Sequence, residues 1–402
     1  MKAAEVFKMN FGSIYVDFLE PINLTQTVSD MQAADPKFDP FSKKEDRLAC
    51  NNKLGNQIVF TLQQNIRIMP CTLVATILLL YRKGISEAEM NQKIKWLGNA
   101  LLQRGIVVSD DTGMPSQTTT NIGLKQLEGQ IVRRRDIMMP KVCVGEDQNN
   151  DYSNIMLLGY YRNALNYVFF NESIIVCALF SFGAEEVWRE GTTTDELFER
   201  ACFLSELIKR EEVIQRRITK KDRKYFDDLV AFMIGQKLLA SKTGSKGQLT
   251  LTLKSSGEAG IMLIGSICWP MIDTYFIALI TALTMVKKKD LDEARFMREC
   301  QFIGETLHSD GKVQYYESCN QPSITNAKAA LIQMKVFTKR SNYLSLGPDY
   351  SGKEGEKNLL KLIEELGQYR MKPTSSSVFD LAKESRDLRR QVLHDFPTMA
   401  KL

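Results

Sequence analysis

Only a few groups in this 402-residue chain are suited to acid–base or nucleophilic chemistry. It has two histidines, His308 in E-T-L-H-S-D-G-K and His394 in L-R-R-Q-V-L-H-D-F. A serine or cysteine nucleophile ordinarily needs a histidine base that a carboxylate holds in place. Neither histidine is followed four residues later by a carboxylate. We therefore predict exposed, non-catalytic positions for both histidines and assign no catalytic residue.

Motifs that hold metals or cofactors are also missing from the sequence. The eight cysteines form no C-x-x-C pair, and no H-E-x-x-H, Walker or G-x-G-x-x-G pattern occurs. Most of the cysteines lie among apolar residues, as in I-I-V-C-A-L. This pattern predicts reduced core cysteines in an intracellular protein, with no metal site and no bound cofactor.

Two basic features could contact an anion. Arg133-Arg134-Arg135 precedes a predicted β turn, where a solvated surface is favoured over phosphate binding. Arg162 interrupts an apolar run of about 27 residues, N-I-M-L-L-G-Y-Y-R-N-A-L-N-Y-V-F-F-N-E-S and onward. Because an unpaired buried arginine is costly, we expect it to contact either Glu172 in an internal ion pair or a bound anion.

The last three residues, Ala400-Lys401-Leu402, have the small, basic, aliphatic pattern of a peroxisomal targeting tripeptide. The net charge of +5 is mild for this length, and it does not demand a nucleic-acid partner. The N-terminal residues lack the apolar region of a signal peptide.

Helix dominates the predicted structure. Ser86 and Glu89 form a capping-box pattern, and apolar stripes follow the helical period in three places. The stripes are Met90, Ile94, Leu97 and Leu101; Leu197, Ala201, Leu204 and Ile208; and Phe296, Cys300, Ile303 and Leu307. Three times a helix is followed by a strand, a turn and a second strand, which is the outline of a winged-helix unit. The predicted fold is mainly α with small β hairpins.

One segment is apolar enough to cross a membrane. Residues 261–286 have the necessary length, but Asp273 places a charge near the middle, and Pro270 is predicted to break the helix in two. We favour a buried core helix and keep an interfacial or re-entrant element as the alternative.

The domain prediction divides the chain into four parts. Residues 1–25 read as the end of a preceding domain, with a helix over 1–12 and a strand in which Ile14, Val16 and Phe18 alternate. Residues 26–47 read as a linker, 48–371 as a helical domain, and 372–402 as a polar tail with a final helix.

Five segments, in order, resemble the glycerol-3-phosphate and dihydroxyacetone phosphate acyltransferase family. They are F-G-S-I-Y-V-D-F-L-E-P-I-N-L, T-L-V-A-T-I-L-L-L-Y-R-K-G-I, L-L-G-Y-Y-R-N-A-L-N-Y-V-F-F, W-P-M-I-D-T-Y, and Q-Y-Y-E-S-C-N-Q-P-S-I-T-N-A-K-A-A-L-I-Q-M-K-V-F. The resemblance covers roughly residues 1–346. It implies the last strand of an α/β acyltransferase domain followed by a helical C-terminal region. The terminal tripeptide favours the peroxisomal dihydroxyacetone phosphate branch.

The resemblance also implies an acyl transfer from acyl-CoA to dihydroxyacetone phosphate, the entry step of ether-lipid and phospholipid synthesis. That chemistry depends on a histidine four residues before an aspartate, and no such pair occurs here. The run Gly129 to Arg134 imitates the family's phosphate motif but follows the post-catalytic strand, so no catalytic residue is carried over. We expect a fragment that is inactive alone and belongs to a longer enzyme.

Further partners are implied by the same resemblance. They are the peroxisomal import receptor, the ether-lipid synthase that follows in the pathway, and the lumenal face of the peroxisomal membrane as a peripheral contact. A glycerol-3-phosphate acyltransferase, a non-catalytic scaffold and a tandem winged-helix nucleic-acid binder remain as alternatives.

Overall fold

The computed structural model describes residues 15–109, 117–144, 150–243, 249–286 and 290–371. The chain forms two compact units. Unit 1 contains Met1–Lys141, Tyr160–Val168 and Glu212–Arg216, and unit 2 contains Val142–Gly159, Phe169–Glu211 and Arg217–Leu402. The region predicted as one domain over 48–371 is thus divided between both units, because the chain passes from one to the other several times.

Unit 1 is built around a short helix that is apolar on all sides. Its helices are α1 (Leu24–Ala34), α2 (Lys44–Gln64), α3 (Pro70–Leu80), α4 (Glu87–Leu102) and α5 (Gln117–Gln126), and its strands are β1 (Ile85–Ser86), β2 (Ile131–Arg134) and β3 (Ile137–Pro140). Every residue of α3 from Pro70 to Leu79 is buried. Helix α5 packs closely on it, since a Cβ added at Gly123 would lie 2.6 Å from the carbonyl oxygen of Pro70.

Two predictions for the N-terminal region are wrong. The strand predicted over residues 12–22 is absent from its described part, since residues 15–23 form no regular structure. Val16 and Phe18 are exposed, so their alternation does not mark a buried strand face. The predicted linker over 26–47 instead holds most of α1 and the start of α2. Asn23 caps α1 by accepting the N–H of Gln26, a local signal that outweighs the polar composition. The predicted helix over 1–12 lies outside the described residues.

Unit 2 and the segments that join it to unit 1 contain the remaining elements. The strands are β4 (Cys143–Val144), β5 (Asn150–Asp151), β6 (Thr192–Thr193), β7 (Leu239–Thr243), β8 (Leu249–Leu253), β9 (Leu291–Asp292), β10 (Phe337–Arg340) and β11 (Tyr343–Leu346). The helices are α6 (Ser153–Arg162), α7 (Asn166–Phe180), α8 (Ala184–Arg189), α9 (Thr194–Leu207), α10 (Arg223–Gly235), α11 (Glu258–Thr284), α12 (Glu293–Ser309), α13 (Gln321–Gln333) and α14 (Gly352–Gly367). The mainly helical fold with small β hairpins is confirmed.

Three sheets of three strands share one antiparallel topology. In each, a hairpin follows a helix, and the second hairpin strand lies in the middle, between the first and a two-residue strand from earlier in the chain. The orders are β1-β3-β2, β6-β8-β7 and β9-β11-β10. The three predicted helix–strand–turn–strand segments are therefore present, and the two-residue strands complete them.

Each of the strands β1, β6 and β9 leads directly into a capped helix. Ser86, Thr193 and Asp292 accept backbone N–H groups from Glu89, Glu196 and Arg295 over 3.3, 3.2 and 3.1 Å. The capping box predicted at Ser86 and Glu89 is confirmed, because the Glu89 carboxylate also accepts from the Ser86 backbone. All residues of the three predicted apolar stripes are buried. Capping and the apolar stripe together set where each helix starts and which face it packs.

The core helix of unit 2 is α11. Residues 261–286 are buried except for the half-buried Met262 and Val286, as expected for a core helix. By length and composition, α11 and the stretch Ser153–Phe180 are both apolar enough to cross a membrane. Pro270 does not break α11 in two; the helix is continuous from Glu258 to Thr284. Just before the proline, the hydroxyl of Ser173 accepts the N–H of Cys268 over 3.1 Å and donates to the carbonyl of Gly265 over 3.4 Å. This side chain from α7 therefore hydrogen-bonds the backbone of α11 in the turn before the proline.

Candidate functional site

Two of the family-like segments meet in a buried polar cluster of unit 2. Asp273, within W-P-M-I-D-T-Y, accepts the backbone N–H groups of Gln314 and Tyr315. The hydroxyl of Thr274 donates to the carbonyl of Ser318 over 2.8 Å. Gln314 to Ser318 belong to Q-Y-Y-E-S-C, so the two segments are joined by hydrogen bonds. These two segments therefore form a contact between α11 and the turn before α13.

The charge of Asp273 is matched by Arg370. The guanidinium Nε donates to Oδ1 of Asp273 over 2.5 Å, and both side chains are less than 5% exposed. Nη2 of Arg370 donates to the carbonyl of Lys312 over 2.7 Å, and its Cζ lies 4.1 Å from the ring centroid of Phe276. A buried carboxylate is therefore held by a buried arginine and by backbone donors, as its burial requires.

Burial raises the pKa of the Asp273 carboxyl, and Arg370 and the backbone N–H groups of Gln314 and Tyr315 oppose that rise. Because the group is enclosed and fully engaged, it cannot reach a substrate. The arrangement locks the end of the described chain to the core helix; it is suited to holding structure and not to proton transfer.

Arg162 and Glu172, the predicted ion pair or anion site, are both buried, at 4% and 5% exposure. Arg162 ends α6, and Glu172 lies within α7, where the neighbouring Asn171 donates to the hydroxyl of Tyr225 over 2.9 Å. Burial makes a polar partner necessary for each of them. The pairing of Arg162 with Glu172, or with an anion, stays a prediction.

The structure also places other polar residues that were singled out from the sequence. His308 is in the last turn of α12, half-buried, with its ring 4.9 Å from Tyr152 and 5.3 Å from Tyr316. The prediction of an exposed loop position for His308 is wrong, because two tyrosines pack against its ring. Arg133 pairs with Glu87 over 2.5 Å at the surface, and Arg135 occupies the hairpin turn at φ 58°. His394 and the tripeptide Ala400-Lys401-Leu402 lie outside the described residues.

No cluster of three or more His, Cys, Asp or Glu suited to a metal occurs among the residues that the structure describes. Seven cysteines in this part of the chain are free and buried, as predicted. Burial raises the pKa of several of these thiols, for example that of Cys202 to about 11.

Unit 2 also contains an open groove of about 1000 Å³. Its lining is mainly apolar and comes from α9, residues 218–221, α13 and the end of α14. Lining residues include Phe203, Leu207, Ile218, Ala330, Met334 and Tyr369. Sequence reasoning did not find this groove, because its residues come from four segments that are distant in the chain.

Unit 1 presents a helix with almost no buried residues. Of the 21 residues of α2, only Cys50 is buried. Leu48, Ile58 and Leu62 are 53%, 47% and 58% exposed, and their spacing places them on one face of the helix. A helix that exposes large apolar residues along one face usually packs against something else. We call Leu48, Ile58 and Leu62 the α2 face.

Comparison with known proteins gives one family. The family model described as the glycerol-3-phosphate acyltransferase C-terminal region matches residues 1–340. The dihydroxyacetone phosphate acyltransferase of Oryctolagus cuniculus is 22% identical over 380 residues, which are 91% of this chain and 53% of that protein. The Homo sapiens protein of the same name is 20% identical over 352 residues, 85% of this chain and 49% of the relative.

A bacterial relative matches over a shorter stretch. The glycerol-3-phosphate acyltransferase of Histophilus somni is 27% identical over 183 residues, 44% of this chain and 21% of that protein. The chain spans about half the length of the dihydroxyacetone phosphate acyltransferases that it matches. Since the family model covers most of its residues, the chain belongs to the glycerol-3-phosphate acyltransferase family, by that family's C-terminal region.

Proposed function

We propose that this chain is the non-catalytic C-terminal part of an acyl-CoA:dihydroxyacetone phosphate O-acyltransferase. The observation that carries the proposal is the match of residues 1–340 to a C-terminal region, with coverage of about half of the dihydroxyacetone phosphate acyltransferase relatives. The 402 residues contain no histidine four residues before an aspartate, so the base that would activate the acceptor hydroxyl is not in this sequence. The chain alone is inactive, and an acyltransferase domain supplies the chemistry.

The α2 face is the surface on which that domain packs. Elsewhere in unit 1, Phe18 and Phe41 are also exposed, at 96% and 79%. Covering such a surface removes apolar area from water, which is favourable. Acyl-CoA and dihydroxyacetone phosphate bind through the acyltransferase domain. Peripheral contact with the membrane and with the following ether-lipid synthase belongs to the assembled enzyme.

The tripeptide Ala400-Lys401-Leu402 carries the chain to the peroxisome through the import receptor. It supports dihydroxyacetone phosphate as the acceptor of the assembled enzyme, on the lumenal face of the membrane. Because the Histophilus somni relative is named a glycerol-3-phosphate acyltransferase, glycerol 3-phosphate is the alternative acceptor. Parallel assays with the two acceptors distinguish them.

The sheet topology supports three winged-helix-like units, which favours a nucleic-acid binder as the second candidate. Ion pairs within these winged-helix-like units argue against nucleic-acid binding. Arg133 of β2 pairs with Glu87 in the first turn of α4, and Lys339 of β10 pairs with Glu293 in the first turn of α12. In each case the two residues belong to the same winged-helix-like unit. Basic hairpin groups that are neutralised within the unit are poorly suited to phosphate contacts. The units are better explained as a structural framework.

The test is binding to an acyltransferase domain. The purified chain is mixed with the N-terminal half of the Oryctolagus cuniculus relative, and complex formation is followed by analytical ultracentrifugation. The expected result is a one-to-one complex that the double variant Leu48→Asp, Leu62→Asp weakens at least about tenfold, because it places charges in an apolar interface. Gln57→Asp, on an exposed position outside the α2 face, is the matched control. Equal binding by both variants rejects the α2 face, and no binding by the unaltered chain rejects the packing role.

A further inference from the structure

The groove in unit 2 combines an apolar lining with a basic rim. Leu207, Ile218 and Ala330 are buried members of the lining, and Phe203 and Met334 are half-buried. A volume of about 1000 Å³ is large enough for a small molecule, and small-molecule sites are mostly apolar with a few polar groups at fixed places. We propose that this groove binds a single-chain lipid whose anionic head group directly follows its hydrocarbon chain.

Polar side chains in the buried part of the lining stay neutral. Burial raises the pKa of the Cys202 thiol to about 11, and it also raises the pKa of the Tyr369 hydroxyl. The Tyr369 hydroxyl donates to the carbonyl of Arg200 over 3.4 Å, so it already has a partner. A hydrocarbon chain needs no hydrogen-bond partner when it is buried, whereas an extended peptide backbone does. This part of the groove therefore suits hydrocarbon better than an extended peptide.

A strongly basic segment forms one side of the groove. Residues 209–224 contain eight Lys or Arg and three Asp or Glu, so their net charge of +5 equals that of the entire chain. Ile218, Thr219, Lys220 and Lys221 of this segment line the groove. A concentration of one sign of charge beside a cleft attracts ligands of the opposite sign. An anionic head group is therefore expected on this side.

Acidic residues on the α9 side of the rim are already paired. Glu199 pairs with Lys220 over 3.1 Å, and Glu206 pairs with Lys209. Lys221 is exposed and has no carboxylate partner among the residues that the structure describes. Because an exposed ion pair such as that of Lys220 contributes little free energy, an anionic ligand can replace Glu199 as its partner. Lys220 and Lys221 are thus both able to bind a head group.

The spacing of these residues limits the kind of lipid. Lys220 and Lys221 follow the buried Ile218 by two and three residues, so their backbones lie at most about 10 Å from it. Their side chains can contact a head group attached directly to a chain that packs on Ile218. Fatty acids and single-chain phosphate esters have this arrangement. In acyl-CoA, by contrast, a long pantetheine arm separates the chain from the phosphates, so the groove favours lipids with a short head group.

Acylation of dihydroxyacetone phosphate forms a phosphate ester of this class, and this clause alone rests on the proposed function. In the assembled enzyme the groove then holds the acylated product outside the acyltransferase domain. A fatty acid is the other source of the same chemistry, and the test below separates the two.

Isothermal titration calorimetry on the complete 402-residue protein tests the proposal. The probes are palmitate, 1-palmitoyl lysophosphatidate, palmitoyl-CoA and, as the zwitterionic control, 1-palmitoyl lysophosphatidylcholine, each below its micelle concentration. We expect palmitate or lysophosphatidate to bind one-to-one and at least about tenfold more tightly than the other two probes, because only they combine a short head group with a net negative charge. Tighter binding of lysophosphatidate identifies a phosphate ester as the ligand, and tighter binding of palmitate identifies a fatty acid. Both results support the proposal.

Matched variants place the binding in the groove. The double variant Lys220→Gln, Lys221→Gln should weaken binding of the anionic lipid at least about tenfold, because it removes both charged donors. The double variant Lys254→Gln, Lys353→Gln changes the net charge equally at exposed positions outside the lining and should leave binding unchanged. Glu365→Gln removes an exposed negative charge from the lining and should tighten binding roughly threefold.

Four results overturn the proposal. If neither anionic lipid binds, the groove is not a lipid site. Equal weakening by the two double variants shows that the lipid responds to net charge and not to the groove. Palmitoyl-CoA that binds as tightly as lysophosphatidate removes the requirement for a short head group. A dimer in sedimentation velocity that Met334→Asp dissociates and that lipid leaves intact assigns the groove to a second copy of the chain. None of these measurements involves acyl transfer or an acyltransferase domain, so they are separate from the test of the proposed function.

Discussion

Arg370 donates a hydrogen bond from Nε to Oδ1 of Asp273 over 2.5 Å, and both side chains are buried. The contact joins residue 370, at the end of the described chain, to the middle of the core helix α11. Asp273, whose charge would make this segment costly to place in a membrane, is therefore paired inside a folded unit.

Removing one partner of this pair leaves the other charge buried and unpaired. We expect Asp273→Asn to lower the free energy of unfolding by roughly 3–5 kcal/mol. Combining it with Arg370→Met removes the second charge, which recovers a large part of the loss. Urea denaturation followed by circular dichroism measures both. As a control, Glu354→Gln breaks the exposed pair with Lys357 and leaves the unfolding midpoint unchanged. A loss below about 1 kcal/mol for Asp273→Asn would contradict the structural role of the pair.

The Ser173 hydroxyl is the second feature on which α11 depends. Its bonds to Cys268 and Gly265 lie just before Pro270, so Ser173→Ala removes an acceptor for a buried N–H group. We expect a loss of about 1–3 kcal/mol in the free energy of unfolding. Thr76→Ala is the matched control, because the buried Thr76 hydroxyl donates to the Thr72 carbonyl of its own helix over 2.7 Å. Equal effects of the two substitutions would show that Ser173 does not support the proline turn.

Stability at acid pH depends on Glu293. Its hydrogen bonds to Lys328 and Lys339 lower the pKa of the carboxyl from 4.5. A carboxyl whose pKa is lower in the folded state contributes stability above about pH 4.5, and this contribution is lost as the pH falls through the folded-state pKa. Unfolding midpoints measured between pH 3 and 6 test this. The difference between the unaltered protein and Glu293→Gln should shrink as the pH falls, and a difference that stays constant would contradict the assignment.

The C-terminal tripeptide makes a prediction of its own. A fluorescent reporter that carries residues 391–402 should concentrate in peroxisomes, because the receptor reads the last three residues. Removal of Leu402 should leave the reporter diffuse, whereas Thr398→Ala should not change its distribution. A diffuse signal from the unaltered sequence would remove the reason for choosing the peroxisomal branch.

Local signals in the sequence were sufficient for much of the fold. The capping residue Ser86, the three buried stripes and the hairpins after α5, α10 and α13 follow from periods and caps that a window of about 18 residues contains. The two-residue strands β1, β6 and β9 were missed because they are too short to show alternation. The local signals for such strands were the β-branched residues Ile85 and Thr192, directly before the N-caps Ser86 and Thr193.

Long-range pairing explains the other misses. The partner of Asp273 is 97 residues away, and the hydroxyl that accompanies Pro270 comes from a different helix, so neither follows from local pattern. The alternation of Ile14, Val16 and Phe18 suggested a strand, yet a strand also needs a neighbour to bond with, which a sequence window does not contain. The groove depends likewise on segments brought together only by folding.

We propose that these 402 residues complete an acyltransferase without containing its catalytic residues. The most direct measurement is acyl transfer from palmitoyl-CoA to dihydroxyacetone phosphate by the purified chain alone, with glycerol 3-phosphate as the second acceptor. We expect no product above the protein-free control with either acceptor, since the histidine–aspartate pair is absent from the sequence. Product formation that rises in proportion to the concentration of this chain would contradict it.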